Sequence, residues 1–271
     1  MHLAIRSISI LYSLGLGLAL AACASLEPIA DNNEDQQAPG QWVSDSPWST
    51  TPIATQTQAL HAPVADKPHW QHYKLPGKQP SQYAFARVDG RDAMAVTATS
   101  SASLLRQNVR IAPDELVRIK FSWKVPELIA MADLAVRDLA DSPASIVLVF
   151  EGDRAKFSAK NAMLSELAQV VSGEPLPYAT LMYVWCNTRA PGSVIVSPRT
   201  DRIRKMVVES GAKNLNMWMD YDRNIRADFE KAFGEPPGAL LGVGIMTDSD
   251  NTRTTTRAWY GQVKLAAAAS P

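Results

Sequence analysis

The loop Thr247-Asp-Ser-Asp-Asn-Thr252 carries the side chains best suited to holding a metal ion. Asp248 and Asp250 alternate along it and Asn251 follows, so their oxygens can converge on a hard cation such as Ca²⁺, which takes about six to eight oxygen ligands. The loop lacks the Gly and the later Glu of an EF-hand. The alternative is a hairpin connection whose side chains hydrogen-bond their own backbone. Asp248, Asp250 and Asn251 are therefore candidate ligands of a structural Ca²⁺.

Exposed aromatic rings would provide a stacking surface for a sugar, and the chain has seven Trp. Trp123, Trp185 and Trp259 lie within predicted strands, which favours core packing. Trp218 lies close to Tyr221, ahead of a predicted helix. These two residues are the best candidates for an exposed aromatic platform.

Polar residues of the same predicted helix extend this candidate ligand site. Arg223 can bind a carboxylate or a sugar oxygen, with Asn224 and Asp228 beside it. The alternative is that these side chains tie the helix end to a neighbouring loop. The candidate ligand-binding set is therefore Trp218, Tyr221, Arg223, Asn224 and Asp228.

Catalytic motifs are hard to find in this sequence. A glycosidase needs two carboxyl groups across a cleft, and Asp153, Asp220, Asp248 and Asp250 show no spacing that marks a pair. The sequence has no Gly-x-Ser-x-Gly elbow, no phosphate-binding loop and no His cluster with metal-ligand spacing. A binding protein is favoured over an enzyme.

The first residues have the pattern of an export signal. A start containing Arg6 and no acid precedes an apolar run from Ile10 to Leu20, followed by Ala21-Ala22-Cys23. The run is too short for an ordinary membrane-spanning helix, which needs about 20 apolar residues. Leu20-Ala-Ala-Cys23 resembles the lipobox of bacterial lipoproteins.

That resemblance implies cleavage after residue 22 and lipid on the Cys23 thiol and amine. It also implies attachment to the cell envelope, at the outer membrane facing the periplasm, because Ala24 and not Asp follows the cysteine. The alternative is an ordinary secretory signal. Since lipid would occupy Cys23, the other cysteine, Cys186, would have no disulfide partner, and its apolar surroundings predict a buried, inert thiol.

Charge composition argues against nucleic acid as a partner. Lys plus Arg number 27 and Asp plus Glu number 27, whereas nucleic-acid binders usually carry a basic excess. With 46% apolar residues, the chain is long and apolar enough for one good-sized domain.

The elements that must position these residues are mostly short strands. Asp89-Gly90 between two alternating runs predicts a hairpin. The segment from Leu116 to Val125 alternates apolar and polar residues, as in a half-exposed antiparallel strand. Helical spacing appears at residues 158–171, ending at Gly173, and at residues 223–233, with Asp222 as the predicted cap.

These patterns predict an all-β-dominated fold, an antiparallel β-sandwich or jelly roll with two short helices. The predicted organisation is a signal peptide over residues 1–22, a disordered tether over 23–65, the sandwich over 66–265 and a frayed tail over 266–271. The polar, Pro-punctuated composition of the tether is its basis, although Trp42 and Trp48 are unusual there and can either pack on the domain or lie at the lipid interface.

Several segments together resemble one bacterial family, domain of unknown function 3047. They include Phe121-Ser-Trp-Lys-Val125, Tyr183-Val-Trp185, Gly244-Ile-Met246 with the adjoining 247–252 loop, and Ala258-Trp-Tyr-Gly261. The resemblance covers about residues 70–265 and implies an exported, β-rich domain similar to carbohydrate-binding jelly rolls, with no assigned activity. Where that pattern leads us to expect two adjacent acids, this chain has Ala140-Asp141-Ser142.

Three hypotheses follow for the function. The first is a non-catalytic, membrane-anchored domain that binds a glycan or another envelope component through loops around Trp218 and Asp248–Asp250. The second is a glycan-active hydrolase on the same scaffold. The third is a structural lipoprotein that binds other envelope proteins.

Overall fold

Thirteen strands and two α-helices make up the part of the chain that this computed structural model describes, which is residues 41–46, 48 and 70–267. The strands are β1 (Gln41–Asp45), β2 (Trp70–Lys74), β3 (Gln82–Val88), β4 (Arg91–Thr99), β5 (Ala102–Ile111), β6 (Leu116–Lys124), β7 (Ser142–Phe150), β8 (Ala179–Cys186), β9 (Val194–Val196), β10 (Ile203–Ser210), β11 (Met219–Asn224), β12 (Leu240–Asp248) and β13 (Thr255–Ala267). The helices are α1 (Ala159–Ser172) and α2 (Ile225–Phe233).

The strands form two sheets. The six-stranded sheet has the order β11-β6-β13-β4-β3, and β1 pairs with the C-terminal half of β13. The seven-stranded sheet has the order β2-β5-β12-β7-β8-β10-β9. All pairs are antiparallel except β8 with β10, which run parallel because the chain crosses through β9 between them. The predicted β-sandwich with two short helices is confirmed, with one parallel pair that the sequence did not indicate.

The hydrophobic core lies between the inner faces of the two sheets. The ring of Phe121 on β6 stacks on Tyr183 of β8 at 5.6 Å, and Trp123 lies 6.4 Å from Trp185. Both tryptophans are fully buried, as predicted. Helix α2 contributes to the same core through Phe229, whose ring is 4.6 Å from that of Phe150. These contacts fix which faces of the sheets point outward.

Local sequence explains several element boundaries. Asp89 and Gly90 both adopt positive φ, as a two-residue hairpin turn requires, and they join β3 to β4. Ser158 caps α1 by accepting from the Asn161 amide, and left-handed Gly173 ends the helix. In α2 the cap is Asn224 and not the predicted Asp222, which lies in β11 and pairs with Arg118.

The predicted tether and tail extend too far into the folded part. Gln41–Asp45 pairs with β13, and Trp48 is fully buried with its indole N–H donating to the Gly261 carbonyl at 2.7 Å. Ala266, assigned to the frayed tail, is buried in β13. Both boundaries were wrong because short flanking segments gain their stability from a neighbouring strand and not from their own pattern.

Two further single-residue expectations can be compared with the structure. Trp259 lies half-buried on the outer face of its sheet, 6.0 Å from the Lys124 ammonium, and not in the core as predicted. Cys186 is buried as predicted, in a small cluster with Leu134 and Val207. Cys23 lies outside the described residues. Among the residues described, no helix has the length and apolar character needed to cross a bilayer.

Candidate functional site

A groove of about 960 Å³ lies between helix α1 and the outer face of the seven-stranded sheet. We call it the α1 groove. The aliphatic side chains that line it come from the sheet and from the helix, and they include Leu104, Val147, Val149, Met182, Met246, Leu164, Leu167, Ala168 and Val171. Gly242 and Gly244 of β12 leave its floor open. At Gly244 a Cβ would lie only 3.2 Å from the Leu105 carbonyl oxygen.

Helix α1 is built in an unusual way for a surface helix. Its buried residues are the polar Asn161 and Ser165. Asn161 donates to Asp201 at 2.6 Å and accepts from Thr200 at 2.7 Å, which fixes the first turn. The aliphatic Leu167 and Val171 instead expose 57% and 59% of their surface. The helix therefore presents apolar side chains to the groove and to solvent.

One end of the α1 groove carries a cluster of acids. Asp248 ends β12 and is paired with Ser142, so Asp141 just before β7 lies next to it. Asp250 follows in the turn, and one carboxylate oxygen from each of the three acids lies within 4.8 Å of the others. The structure thus brings together the two predicted acids, Asp248 and Asp250, and adds Asp141.

Asp141 organises the loop after β12. One carboxylate oxygen accepts from the Asn251 side chain at 2.6 Å and its amide at 3.2 Å. The other accepts from the Thr252 amide and hydroxyl, both at 2.7 Å. Burial opposes ionisation, but these bonds outweigh it and hold the pKa of Asp141 below its usual value. Asp141 therefore shapes the loop as a fully hydrogen-bonded carboxylate.

Asp248 has the opposite electrostatic environment. Burial, followed by the adjacent charge of Asp141 and a hydrogen bond with it, raises the pKa of Asp248 well above its usual value. Its Oδ1 accepts from the Asp250 amide at 3.3 Å. Two neighbouring carboxyl groups with pKa values shifted in opposite directions favour a shared proton.

Three cations lie at the same end of the groove. Lys78, from the connection before β3, forms an ion pair with Asp250. Arg199, from the connection before β10, donates to the Asn251 side-chain oxygen at 2.8 Å. Lys205 of β10 is 7% exposed, donates to the Ala140 carbonyl at 3.1 Å, and burial lowers its pKa to about 8. Sequence reasoning missed all three, because no local pattern marks them and they come from separate parts of the chain.

This arrangement favours a network of ion pairs and hydrogen bonds over a calcium site. The Asn251 oxygen accepts from Arg199, both Asp141 oxygens accept two donors each, and Asp250 pairs with Lys78. Three positive side chains also repel a divalent cation. Calcium binding stays a prediction, which a shift of Tm on adding Ca²⁺ or a chelator would test.

The predicted ligand-binding residues do not line the α1 groove. Trp218 is half-buried, and the Arg91 guanidinium lies 5.3 Å above its ring. The Tyr221 ring stacks on Phe121 at 5.0 Å, and its hydroxyl donates to Glu209 at 2.9 Å. Both residues therefore lie apart from Asp248.

The remaining predicted residues form a network around α2. Arg223 donates to both carboxylate oxygens of Asp228 at 2.8 and 2.5 Å, and the Tyr183 hydroxyl donates to the same carboxylate at 2.9 Å. Asn224 accepts from the Ala227 amide as the helix cap. These bonds tie the helix to β8 and β11, which is the alternative that the sequence left open.

No curated protein matches the chain. Among solved structures, one described as "CBM4 structure and function" is 7% identical, with 73% of this chain and 86% of that chain covered and a TM-score of 0.32. The xyloglucanase domain of NopAA, a type three effector from Sinorhizobium fredii, solved with cellobiose, is 9% identical, with coverage of 75% and 95% and a TM-score of 0.37.

Similarities at this level carry no argument about the ligand of this chain. The family comparison is of a different kind, because a single family model covers most of the chain. It matches residues 68–264, which span the sandwich from just before β2 into β13. The chain belongs to this family, described as "Protein of unknown function (DUF3047)".

Proposed function

We propose that this chain is a lipid-anchored binding protein of the cell envelope, and that its ligand lies in the α1 groove. The anchor is the acylated Cys23, which places the protein at the outer membrane facing the periplasm. The lipobox resemblance of Leu20 to Cys23 supports this part of the proposal. The groove supports the binding role.

The single observation that carries the binding role is the size and lining of the α1 groove. At about 960 Å³ it is at the upper end of the range of small-molecule sites, roughly 300–1,000 Å³. Such sites are mostly apolar with a few convergent polar groups. Here aliphatic side chains form the walls, and Lys78, Arg199 and Lys205 stand at one end with the acids.

Binding without hydrolysis fits the state of the carboxyl groups. Hydrolysis of a glycoside requires an acid and a second, available carboxylate. Of the three acids at the groove, Asp141 accepts four hydrogen bonds and Asp250 pairs with Lys78. Asp248, with its raised pKa, is the one suited to donate a proton. Hydrolysis that is lost in Asp248→Asn would favour the hydrolase alternative.

A glycan is the first ligand class to test, because glycan binding is the first hypothesis that follows from the sequence. Among the described residues, Tyr73 is the one aromatic side chain that lines the α1 groove, and the Arg106 guanidinium lies 3.8 Å above its ring. A sugar would therefore rely on polar contacts at the acidic end and not on ring stacking.

The test uses native mass spectrometry of residues 24–271, a chain that lacks Cys23 and its lipid, mixed separately with glycan fragments and lipids extracted from a bacterial envelope. Ala168→Trp blocks part of the groove, because Ala168 lines it, whereas Ala162→Trp places the same side chain on an exposed part of α1 away from the groove. We expect bound ligand with wild type and Ala162→Trp and its loss with Ala168→Trp. Equal binding by all three proteins would refute the groove as the site.

A further inference from the structure

The aliphatic surface of α1 is the feature that points to a class of ligand. Along the helix, Met163, Leu167, Val170 and Val171 expose between 57% and 82% of their surface. Leu167 and Val171 do so while lining the α1 groove, opposite Val147 and Met182 of the sheet. Exposed aliphatic surface on this scale is unfavourable in water and is typical of a site where an apolar ligand or partner binds and covers it.

The polar end of the groove offers cationic hydrogen-bond donors to a ligand. Lys205 is almost fully buried and lines the groove, yet among the described residues the Ala140 carbonyl is the one hydrogen-bond acceptor its ammonium has. An ammonium has three donors, so a buried one with a single acceptor favours a further acceptor from a ligand. Arg199 is exposed beside it and uses one of its donors on Asn251.

The carboxylates at this end are not available to compete for those donors. Asp141 is satisfied by Asn251 and Thr252, and Asp250 is held by Lys78. Asp248 also lines the groove, but burial and the adjacent Asp141 raise its pKa, which favours its uncharged form. An incoming anionic group would therefore meet cationic donors. The groove thus has an aliphatic length and one end that offers positive charge.

We propose that the α1 groove binds an acyl lipid with an anionic headgroup, whose chain lies between α1 and the sheet and whose headgroup contacts Lys205 and Arg199. This rests on the proposed function, since it names the ligand class of the same site. A lipid class also fits a chain that is itself tethered at a membrane.

The experiment measures the affinity of residues 24–271, the chain without Cys23, for saturated fatty acids of eight, ten and twelve carbons by isothermal titration calorimetry. This chain keeps all the residues that the structure describes, 41–46, 48 and 70–267, and carries no lipid because Cys23 is absent from it. If the chain lies in the groove, each added CH₂ should tighten binding by about three- to fourfold. Dodecyl maltoside, which has the same chain length and an uncharged sugar head, provides the headgroup comparison.

Two pairs of variants locate the parts of the ligand. Ala168→Trp should lower affinity for every chain length by about tenfold or more, and Ala162→Trp should leave it unchanged. Arg199→Gln should lower affinity for the fatty acids by about tenfold and have little effect on dodecyl maltoside. Lys160→Gln, exposed on α1 and away from the groove, is the matched control.

The outcomes separate this inference from the proposed function. Chain-length dependence that is removed by Ala168→Trp supports both. Envelope glycans that bind and are blocked by Ala168→Trp, with no binding of fatty acids, would overturn the lipid class and leave the binding groove standing. Fatty-acid binding that Ala168→Trp does not change would place the lipid elsewhere and overturn the inference.

Discussion

Asp141 organises the site from a distant part of the chain. Its partners Asn251 and Thr252 are 110 and 111 residues away along the chain. Asp248 and Asp250 could be identified because they alternate within one loop. The other charged residues could not be identified, because only the pairing of β7 with β12 and the course of the connecting loops bring them to the same place. They are Asp141, Lys78, Arg199 and Lys205.

The substitution Asp248→Asn should change how stability depends on pH. A raised folded pKa means that the folded state holds the proton more tightly than the unfolded chain does. The free energy that Asp248 contributes to folding is therefore fully present below pH 3.8, the pKa of this group in the unfolded chain. It is lost as the pH rises from there through the higher pKa of the folded state. Urea unfolding at about pH 4 and about pH 7 should show the variant gaining stability over wild type at the higher pH.

Asp138→Asn is the control, because it removes the charge of an exposed acid that lacks the environment of Asp248. We expect its offset from wild type to be small at both pH values. An offset of Asp248→Asn that is the same at both would contradict the proposed environment of this carboxyl group.

At the scale of elements, the sequence predicted well wherever the signal is local. Asp89-Gly90 marks its hairpin, and Ser158 with Gly173 brackets α1, because turn and cap geometry depend on a few adjacent residues. The parallel pairing of β8 with β10 was not predictable, since alternation shows that a strand exists and not which neighbour it takes. β1 was missed for the same reason.

Trp48 should contribute to stability as a core residue and not as part of a linker. It is fully buried, lies 5.0 Å from the ring of Trp70 and donates to Gly261. Trp48→Ala should lower the free energy of unfolding by about 3–5 kcal/mol, measured by urea denaturation. Trp259→Ala, at a half-buried position on the outer face of the sheet, should cost clearly less. Equal costs would show that Trp48 does not belong to the core.

At the scale of the whole molecule, the proposed location depends on a single thiol. Cys23→Ser removes the proposed acceptor of the lipid, so the protein should move from the membrane fraction to the soluble fraction of an envelope preparation. Cys186→Ala should stay with the membrane, because Cys186 is buried within the sandwich. Membrane retention of Cys23→Ser at the wild-type level would rule out the lipid anchor.

The pairing of β1 with β13 also sets the reach of the protein. From Cys23 to the first residue of that strand, Gln41, the chain advances 18 residues (41 minus 23). A polypeptide extends at most about 3.3–3.6 Å per residue, so the first residue of β1 lies within about 65 Å of the proposed anchor. This is less than half the span that a tether ending at residue 65 would allow. With the proposed anchor, a ligand of the α1 groove would therefore be bound and released close to the membrane.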